Sequence, residues 1–380
     1  MRVCIVYDCL YPYTIGGAER WYRGLAERAA KDGHEVTYLT RRQWHAGTEP
    51  RVRNVGVVAV SSGATLYTTE GRRRTMPPLS FGAGVLKHLL IHGGAYDVVH
   101  TGSFPYFSVL AAAAARRRHA FELNVDWHEV WTQEYWHSYL GPIRGRGGWA
   151  VQRACLGVPQ RAYCFSKLHE RRLRDSGLTD VTRLEGQYQG AAEHPVPAAA
   201  EPTVIFAGRL IPEKNVTALV AAVARVRERI PDVRLEIYGN GPEWERILRS
   251  IGEHGLAPVV TMPGFVGRET LEHALGRALC LVLPSRREGY GLVVVEASAR
   301  GVPAVVASVP DNAAVELVED GVNGMVARSA APDDLADAIS RVHDAGATLR
   351  DSTADWFERN AGRLSLESSL ERVLDGYARA

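Results

Sequence analysis

What constrains this chain most is an alternation of short apolar runs with helix-capable segments, repeated in two series along its length. Apolar runs of this kind read as strands buried on both faces. Strands that alternate with helices pair in parallel through crossover connections, which is the doubly wound α/β plan. In the first series residues 3–7, 35–39, 97–100 and 162–165 read as strands, with helices over 19–31 and 106–117. In the second, residues 203–207, 234–238, 259–262, 280–283 and 304–307 read as strands, each leading into a helix-capable segment. Between them GAAEHPVPAAAEP, at 190–202, has the alanine and proline content of a linker and no periodicity. The expected division is therefore a domain over 1–190, a linker over 191–202, a second domain over 203–354, and a helical segment over 355–380 that can cross back to the first domain. Ligands of such sheets sit beyond the carboxyl ends of the strands. Two such domains in tandem imply a central cleft between them.

Composition narrows the class. At 46% hydrophobic and 23% charged residues over 380 positions, the chain is globular rather than disordered. No apolar run reaches the roughly 18 residues of a membrane-spanning helix, and the N-terminus lacks a signal-peptide layout. The five cysteines form no CxxC pair. A cytoplasmic location is expected. The net charge of +2 hides an asymmetry: residues 1–200 carry 25 Lys+Arg against 17 Asp+Glu (+8), and residues 201–380 carry 20 against 26 (−6). Arg72-Arg73-Arg74 and Arg116-Arg117-Arg118 can attract an anionic partner, including a membrane surface, or stand as solvated charge. No nucleic-acid-binding signature accompanies them.

The chemistry-bearing motifs stand where strands end. Gly16-Gly17 follows the first strand and precedes a helix, where backbone amides favour phosphate or carboxylate; a plain tight turn is the alternative. In FAGRLIPEKN, Arg209 and Lys214 lie just past a strand and can clamp a diphosphate, against the alternative of a salt bridge to Glu213. YGNGPE, with Gly239, is a second glycine-rich strand-to-helix turn. In EGYGLVVVEASARGVPAVV, Glu288 and Glu296 are spaced for an extended, hydroxyl-rich ligand rather than for an acid/base pair, with the amides near Tyr290 and Gly291 facing phosphate oxygens.

The order Gly16-Gly17, Arg209 with Lys214, and Glu288 with Glu296 resembles the retaining glycosyltransferases of family 4, over nearly the whole chain. FAGRLIPEKN, YGNGPE, PGFVGRETL and the Glu288–Glu296 phrase match that family's pattern in order. The resemblance implies a GT-B architecture, two Rossmann-like doubly wound domains facing a central cleft, with an acceptor-binding N-terminal and a donor-binding C-terminal domain. It implies that Arg209 and Lys214 hold the donor diphosphate and that Glu288 binds hydroxyls of the transferred sugar. Amides from Tyr290 to Leu292 would serve phosphate and sugar, Glu296 the ribose, and the backbone at Val266 the base, with uridine as default. Gly16, Gly17 and Gly239 complete the donor set. No metal ion or other cofactor is implied.

In the first half, NVDWHEVWTQEYWHSYL follows the strand-like stretch 120–125. The family resemblance matches His128 to a histidine against the donor sugar, making His128, Arg209, Lys214 and Glu288 the catalytic set. Asp126, Glu129, Trp127 and Trp131 are candidate acceptor contacts. Trp127, Trp131, Tyr135 and Tyr139 recur every four residues, a drifting stripe on a helix that serves either core or sugar stacking. Two phrases depart from the family: RLEGQYQGAAEH after Ser166, and VPDNAAVELV, in which Glu316 reads as a structural carboxylate capping a helix. The expected activity is transfer of a hexose-type sugar from a nucleoside diphosphate to a hydroxyl acceptor that is a small molecule, a glycan or lipid-linked. The alternatives are a sugar-nucleotide epimerase or phosphorylase on the same fold, or a non-catalytic nucleotide-sugar-binding protein.

Overall fold

The structure is a computed structural model of the full chain; it describes all residues except 46, 49, 67–73, 75, 191–199 and 379–380. The core of the interdomain linker and Arg72-Arg73 lie outside the described residues. Two compact units emerge. The first is built mainly from residues up to Gln187 together with Leu366–Ala380, and the second from Tyr188–Ser365.

In the first unit seven strands form one parallel sheet: β1 (Arg2–Val6), β2 (Glu35–Arg41), β3 (Val55–Ser61), β4 (Val98–Gly102), β5 (Glu122–Trp127), β6 (Arg161–Cys164) and β7 (Val181–Arg183). Their order is β3-β2-β1-β4-β5-β6-β7. The connecting helices are α1 (Gly17–Lys31), α2 (Met76–His92), α3 (Phe107–Ala115), α4 (Gln133–Leu140), α5 (Pro142–Leu156) and α6 (Lys167–Asp175). Central strand β4 is buried at every position, as a strand covered on both faces must be.

The second unit repeats the plan with β8 (Thr203–Ala207), β9 (Arg234–Tyr238), β10 (Val260–Gly264), β11 (Cys280–Leu283), β13 (Ala304–Ala307) and β15 (Gly324–Ala327), in the order β10-β9-β8-β11-β13-β15. A small separate ladder pairs β12 (Arg287–Glu288) with β14 (Asp311–Asn312). The helices are α7 (Val216–Arg229), α8 (Trp244–Glu253), α9 (Arg268–Arg277), α10 (Leu292–Ser298) and α11 (Pro332–Leu364), the last kinked at Gly346. In each sheet the strand order reverses beside the first strand, at β1/β4 and at β8/β11. That reversal opens a crevice at the carboxyl edge between crossovers that leave in opposite directions.

The C-terminal segment divides later than the sequence suggests. Residues 355–364 finish α11 inside the second unit, where Trp356, Phe357, Ala361 and Leu364 are buried and Phe357 meets Tyr188 edge-on at 5.5 Å. Arg350, buried in the same helix, donates to the carbonyls of Ala278 and Gly276 at 2.6 and 3.0 Å. Only α12 (Leu366–Tyr377) belongs to the first unit. It packs on α1, with Leu366 against Gly24, Glu367 paired with Arg28, and the Ser369 hydroxyl accepting from the Gly186 amide at 3.0 Å. An unbroken helical pattern conceals such a change of partner because periodicity reports a buried face, not what buries it.

Candidate donor and acceptor sites

In the second unit the loops leaving β8, β9 and β10 are tied together by backbone. Gly208 N donates to Tyr238 O (2.9 Å), Leu210 N to Asn240 O (2.9 Å), Glu243 N to Leu210 O (3.0 Å) and Gly239 N to Gly264 O (2.9 Å). This contact requires Gly239. Its φ is +132°, and a Cβ there would stand 1.8 Å from the Gly208 carbonyl oxygen. Gly239 is buried, and its conformation shapes the loop on which other donor candidates stand.

On that platform Lys214 ends a single 3₁₀ turn over Pro212–Lys214, and Asn215 follows in the left-handed conformation (φ 55°, ψ 35°). The Asn215 amide donates to Ala330 O at 3.0 Å and Pro284 O at 3.4 Å, while Arg286 N donates to Glu213 O at 2.8 Å. These bonds bring Lys214 against Glu288, although 74 residues separate them in sequence. The two side chains form an ion pair, both are mostly buried, and the fully buried Ser285 hydroxyl donates to the same Glu288 oxygen at 3.2 Å. Lys214 therefore pairs with Glu288 rather than Glu213. Arg209 is exposed and pairs with no acid among the described residues. Neither Ser285 nor Asn215 stood out in the sequence, although Asn215 ends the phrase FAGRLIPEKN and Ser285 lies three residues before Glu288.

Beyond Glu288, Gly291 takes φ +99° to open α10, and a Cβ on it would press to 2.7 Å from that of Ala314. Asn312 supports this corner by accepting from Ala314 N at 3.1 Å and donating to Ala307 O at 2.8 Å. Asn312 caps the short turn over Ala313–Leu317, in which Glu316 sits. Tyr290 is buried; Leu292 begins α10, and Glu296 is half-buried one turn on. Val266 is half-buried next to Phe265, which is 59% exposed.

The first unit treats its candidates differently. Gly16 is the extended N-cap of α1 (φ −173°) and Gly17 opens the helix, exposed. A side chain on Gly17 would meet nothing closer than 3.8 Å, so packing does not demand a glycine there. Asp126 and Trp127 end β5 fully buried, which corrects their reading as acceptor contacts. Asp126 accepts from Trp21 Nε1 at 2.6 Å, its other oxygen lies 2.9 Å from His100 Nε2, and His100 Nδ1 lies 2.6 Å from the Tyr377 hydroxyl of α12. Burial alone would raise the Asp126 carboxyl, but His100 and the hydrogen bonds outweigh it and hold it below its ordinary value. Trp127 is core, its Nε1 donating to Gln160 at 2.9 Å.

His128, the first residue past β5, is half-exposed and stacks on Phe165 at 4.8 Å with 2° between ring planes. Burial lowers its pKa despite the opposing pull of Asp126, so the ring is neutral near pH 7. Its buried Nε2 has no hydrogen-bond partner among the described residues. Glu129 accepts from Trp131 Nε1 at 2.6 Å. The predicted aromatic stripe does not share one helix: Trp127 lies on a strand, Trp131 in a loop, and only Tyr135 and Tyr139 on α4. Three of the rings still gather, with Trp131 4.8 Å from Tyr135 and 5.3 Å from Tyr139. Among the described residues no group of three or more His, Cys, Asp or Glu side chains is placed to hold a metal ion.

A "Glycosyl transferase 4-like domain" model matches residues 16–185 and a "Glycosyl transferases group 1" model matches residues 193–356. A glycogen synthase from Mycobacterium tuberculosis is 26% identical over 404 aligned residues, covering 98% of this chain and 91% of its own. An alpha-D-kanosaminyltransferase from Streptomyces kanamyceticus is 34% identical over 143 residues, 38% of this chain and 36% of its own. Among solved structures, sucrose-phosphate synthase from Thermosynechococcus elongatus shares the fold with a TM-score of 0.82 at 21% identity, over 100% of this chain and 98% of its own. An Anabaena protein solved with UDP-glucose does so with a TM-score of 0.76 at 18% identity, over 100% of both chains. A glycosyltransferase model over each half, joined to the donor motifs and a full-length relative, places the chain among the GT-B glycosyltransferases of family 4 type, which draw on a nucleotide sugar.

Proposed function

We propose that this glycosyltransferase is retaining and moves a hexose-type sugar from a nucleoside diphosphate, with uridine as the default base, to a hydroxyl of its acceptor. The observation that carries the donor half is the meeting of Lys214 and Glu288 at the carboxyl edge of the second sheet, held by Asn215 and Ser285 and beside an exposed Arg209. An arriving pyrophosphate takes over the Lys214 ammonium, and Glu288, still held by Ser285, turns its free acceptor capacity to sugar hydroxyls. Arg209 adds a second cation, the amides from Tyr290 to Leu292 a row of donors, Glu296 a ribose contact and Val266 a neighbour for the base. The first unit supplies the acceptor, with Gly16 and Gly17 giving room for the donor phosphates, Glu129 and Trp131 bordering the acceptor, and neutral His128 donating or accepting at a sugar hydroxyl. Hexose and uridine are supported by the glycogen synthase relative and by the Anabaena protein solved with UDP-glucose.

As the bond from anomeric carbon to phosphate oxygen breaks, positive charge grows on the sugar and negative charge on the departing diphosphate. Lys214, Arg209 and the oriented amides stabilise the latter. The acceptor hydroxyl attacks the same face, its oxygen bonding to the anomeric carbon while its proton passes to the departing phosphate oxygen. Neither a carboxylate nucleophile nor a metal ion is called upon, so activity is expected to survive chelation. No helix among the described residues is long and apolar enough to cross a membrane, and a lipid-linked acceptor would be met at a surface.

The test is product analysis after incubation with a panel of nucleotide sugars and hydroxyl acceptors, by mass spectrometry and nuclear magnetic resonance. A new glycoside with the donor's anomeric configuration supports the reading, and an inverted one ends the retaining assignment. Donor isomerised or split by phosphate, with no glycoside formed, replaces transfer by an epimerase or phosphorylase activity.

A further inference from the structure

The most exposed large apolar side chain that the structure describes is Ile143, at 83%. It does not stand alone. Tyr139 (40%) and Leu140 (37%) end α4, Gly141 turns the chain at φ +79°, and Ile143 follows Pro142 at the start of α5. The hairpin that carries this tip is firmly built. Gly145 and Gly148 let α5 close on α4, since a Cβ at Gly145 would lie 2.5 Å from the Trp136 carbonyl oxygen and one at Gly148 2.3 Å from its ring. At the base, fully buried Gln152 accepts from Trp136 Nε1 (3.1 Å) and the Tyr106 hydroxyl (2.8 Å) and donates to Trp131 O (2.8 Å). A rigid hairpin whose apolar residues point outward has not failed to pack; its core is complete without them.

The charge around the tip is one-sided. Arg144 and Arg146 are exposed and pair with no acid among the described residues, and the hairpin's one acidic residue, Glu134, sits in the first turn of α4 at the far end. The half of the chain that carries the hairpin has eight more basic than acidic residues. Because α5 feeds the amino end of β6, its own start lies toward the carboxyl edge of the sheet, the edge that also holds His128 and Gly16-Gly17. The Arg116–Arg118 run, in contrast, ends α3 and so lies toward the opposite edge, and Arg116 is spent on the Pro159 carbonyl at 2.6 Å.

We propose that the α4–α5 tip, through Tyr139, Leu140 and Ile143 with Arg144 and Arg146, docks on an anionic lipid surface. A second copy of the chain fits less well. Three side chains on one turn fall far short of the about 800 Å² per partner that a stable dimer buries. A few apolar side chains flanked by arginines suffice to enter a headgroup layer. The proposal is independent of the donor chemistry, and its failure leaves that reading standing.

Flotation of the full chain with phosphatidylcholine vesicles, with and without phosphatidylglycerol, at low salt tests it, while nucleotide-sugar titration of the same samples reports on the donor site. Wild type is expected to float with anionic vesicles and to be released as salt rises. Ile143→Glu with Leu140→Glu should cut binding at least about tenfold, and Arg144→Gln or Arg146→Gln about fivefold each. All four positions are solvent-facing, so the variants fold, and donor affinity should stay unchanged. The proposal is overturned if wild type ignores anionic vesicles, if the double variant floats as well as wild type, or if the tip variants abolish self-association instead.

Discussion

The two units share one strand order and differ in what they do with the charged residues at the carboxyl edge. In the second unit Lys214, Glu288 and Arg209 stand on loops locked by backbone hydrogen bonds, and Arg209 stays exposed. In the first unit the corresponding edge turns its strongest polar groups inward: Trp21, Asp126, His100 and Tyr377 form a buried chain that fastens α12 to the sheet. The same scaffold thus leaves charged groups at the edge in one unit, where the proposed donor site lies, and turns them inward to hold itself together in the other. A buried charge survives only when paired and hydrogen-bonded, so Asp126, held by Trp21 and paired with His100, has little left to offer a substrate.

Three variants sharpen that contrast, beginning with the largest effect. Gly239→Ala forces a Cβ onto the Gly208 carbonyl at a positive φ, and should destabilise the second unit by at least about 3 kcal/mol and remove donor binding. Calorimetric unfolding reads this directly, and a wild-type profile would mean the loops are not locked as described. The next effect depends on acid. His169, buried in the first unit, accepts from Val130 N at 3.2 Å and has its pKa pushed down to about 3 by burial, with Arg172 and His128 adding to the shift. The unfolded chain binds a proton near pH 6.5 whereas the folded state resists it. The stability from neutral His169 is therefore complete above 6.5 and is lost as pH falls toward 3, by about 3 kcal/mol at pH 4. Replacing His169 with Gln should flatten this part of the pH dependence of unfolding; an unaltered slope would assign the acid sensitivity elsewhere.

The smallest effect is Tyr377→Phe, which strips His100 of a buried partner and should cost about 1 to 2 kcal/mol. Hydrogen exchange in α12 would rise while donor affinity held. Faster exchange confined to the second unit would contradict the placement of α12.

Legibility in the sequence followed the same divide. The places of Arg209, Lys214 and Glu288 beyond strand ends, and of Glu296 inside α10, were readable because a strand, its following loop and the next helix are local patterns; glycines, cations and acids there make a candidate anion and polyol site without knowledge of distant partners. Edge strand β7 was missed because its three residues offer no apolar run, whereas β3 was passed over although VGVVAV is such a run; none of its positions is buried, as suits an edge. Asp126 and Trp127 were misjudged because their partners Trp21, His100 and Gln160 are remote in sequence. A carboxylate near a strand end reads as available until the network that consumes it is seen. The packing demand on Gly239 was not legible, since its clash partner lies on a neighbouring loop.

The central claim is that the second unit grips a sugar nucleotide through Lys214 and Glu288. Titration calorimetry of a nucleotide-sugar panel against wild type, Lys214→Ala and Glu288→Gln tests it most directly. The account predicts saturable binding by wild type, weakened at least about 30-fold in Lys214→Ala and measurably in Glu288→Gln, with unfolding midpoints close to wild type. Identical isotherms for all three proteins would contradict it.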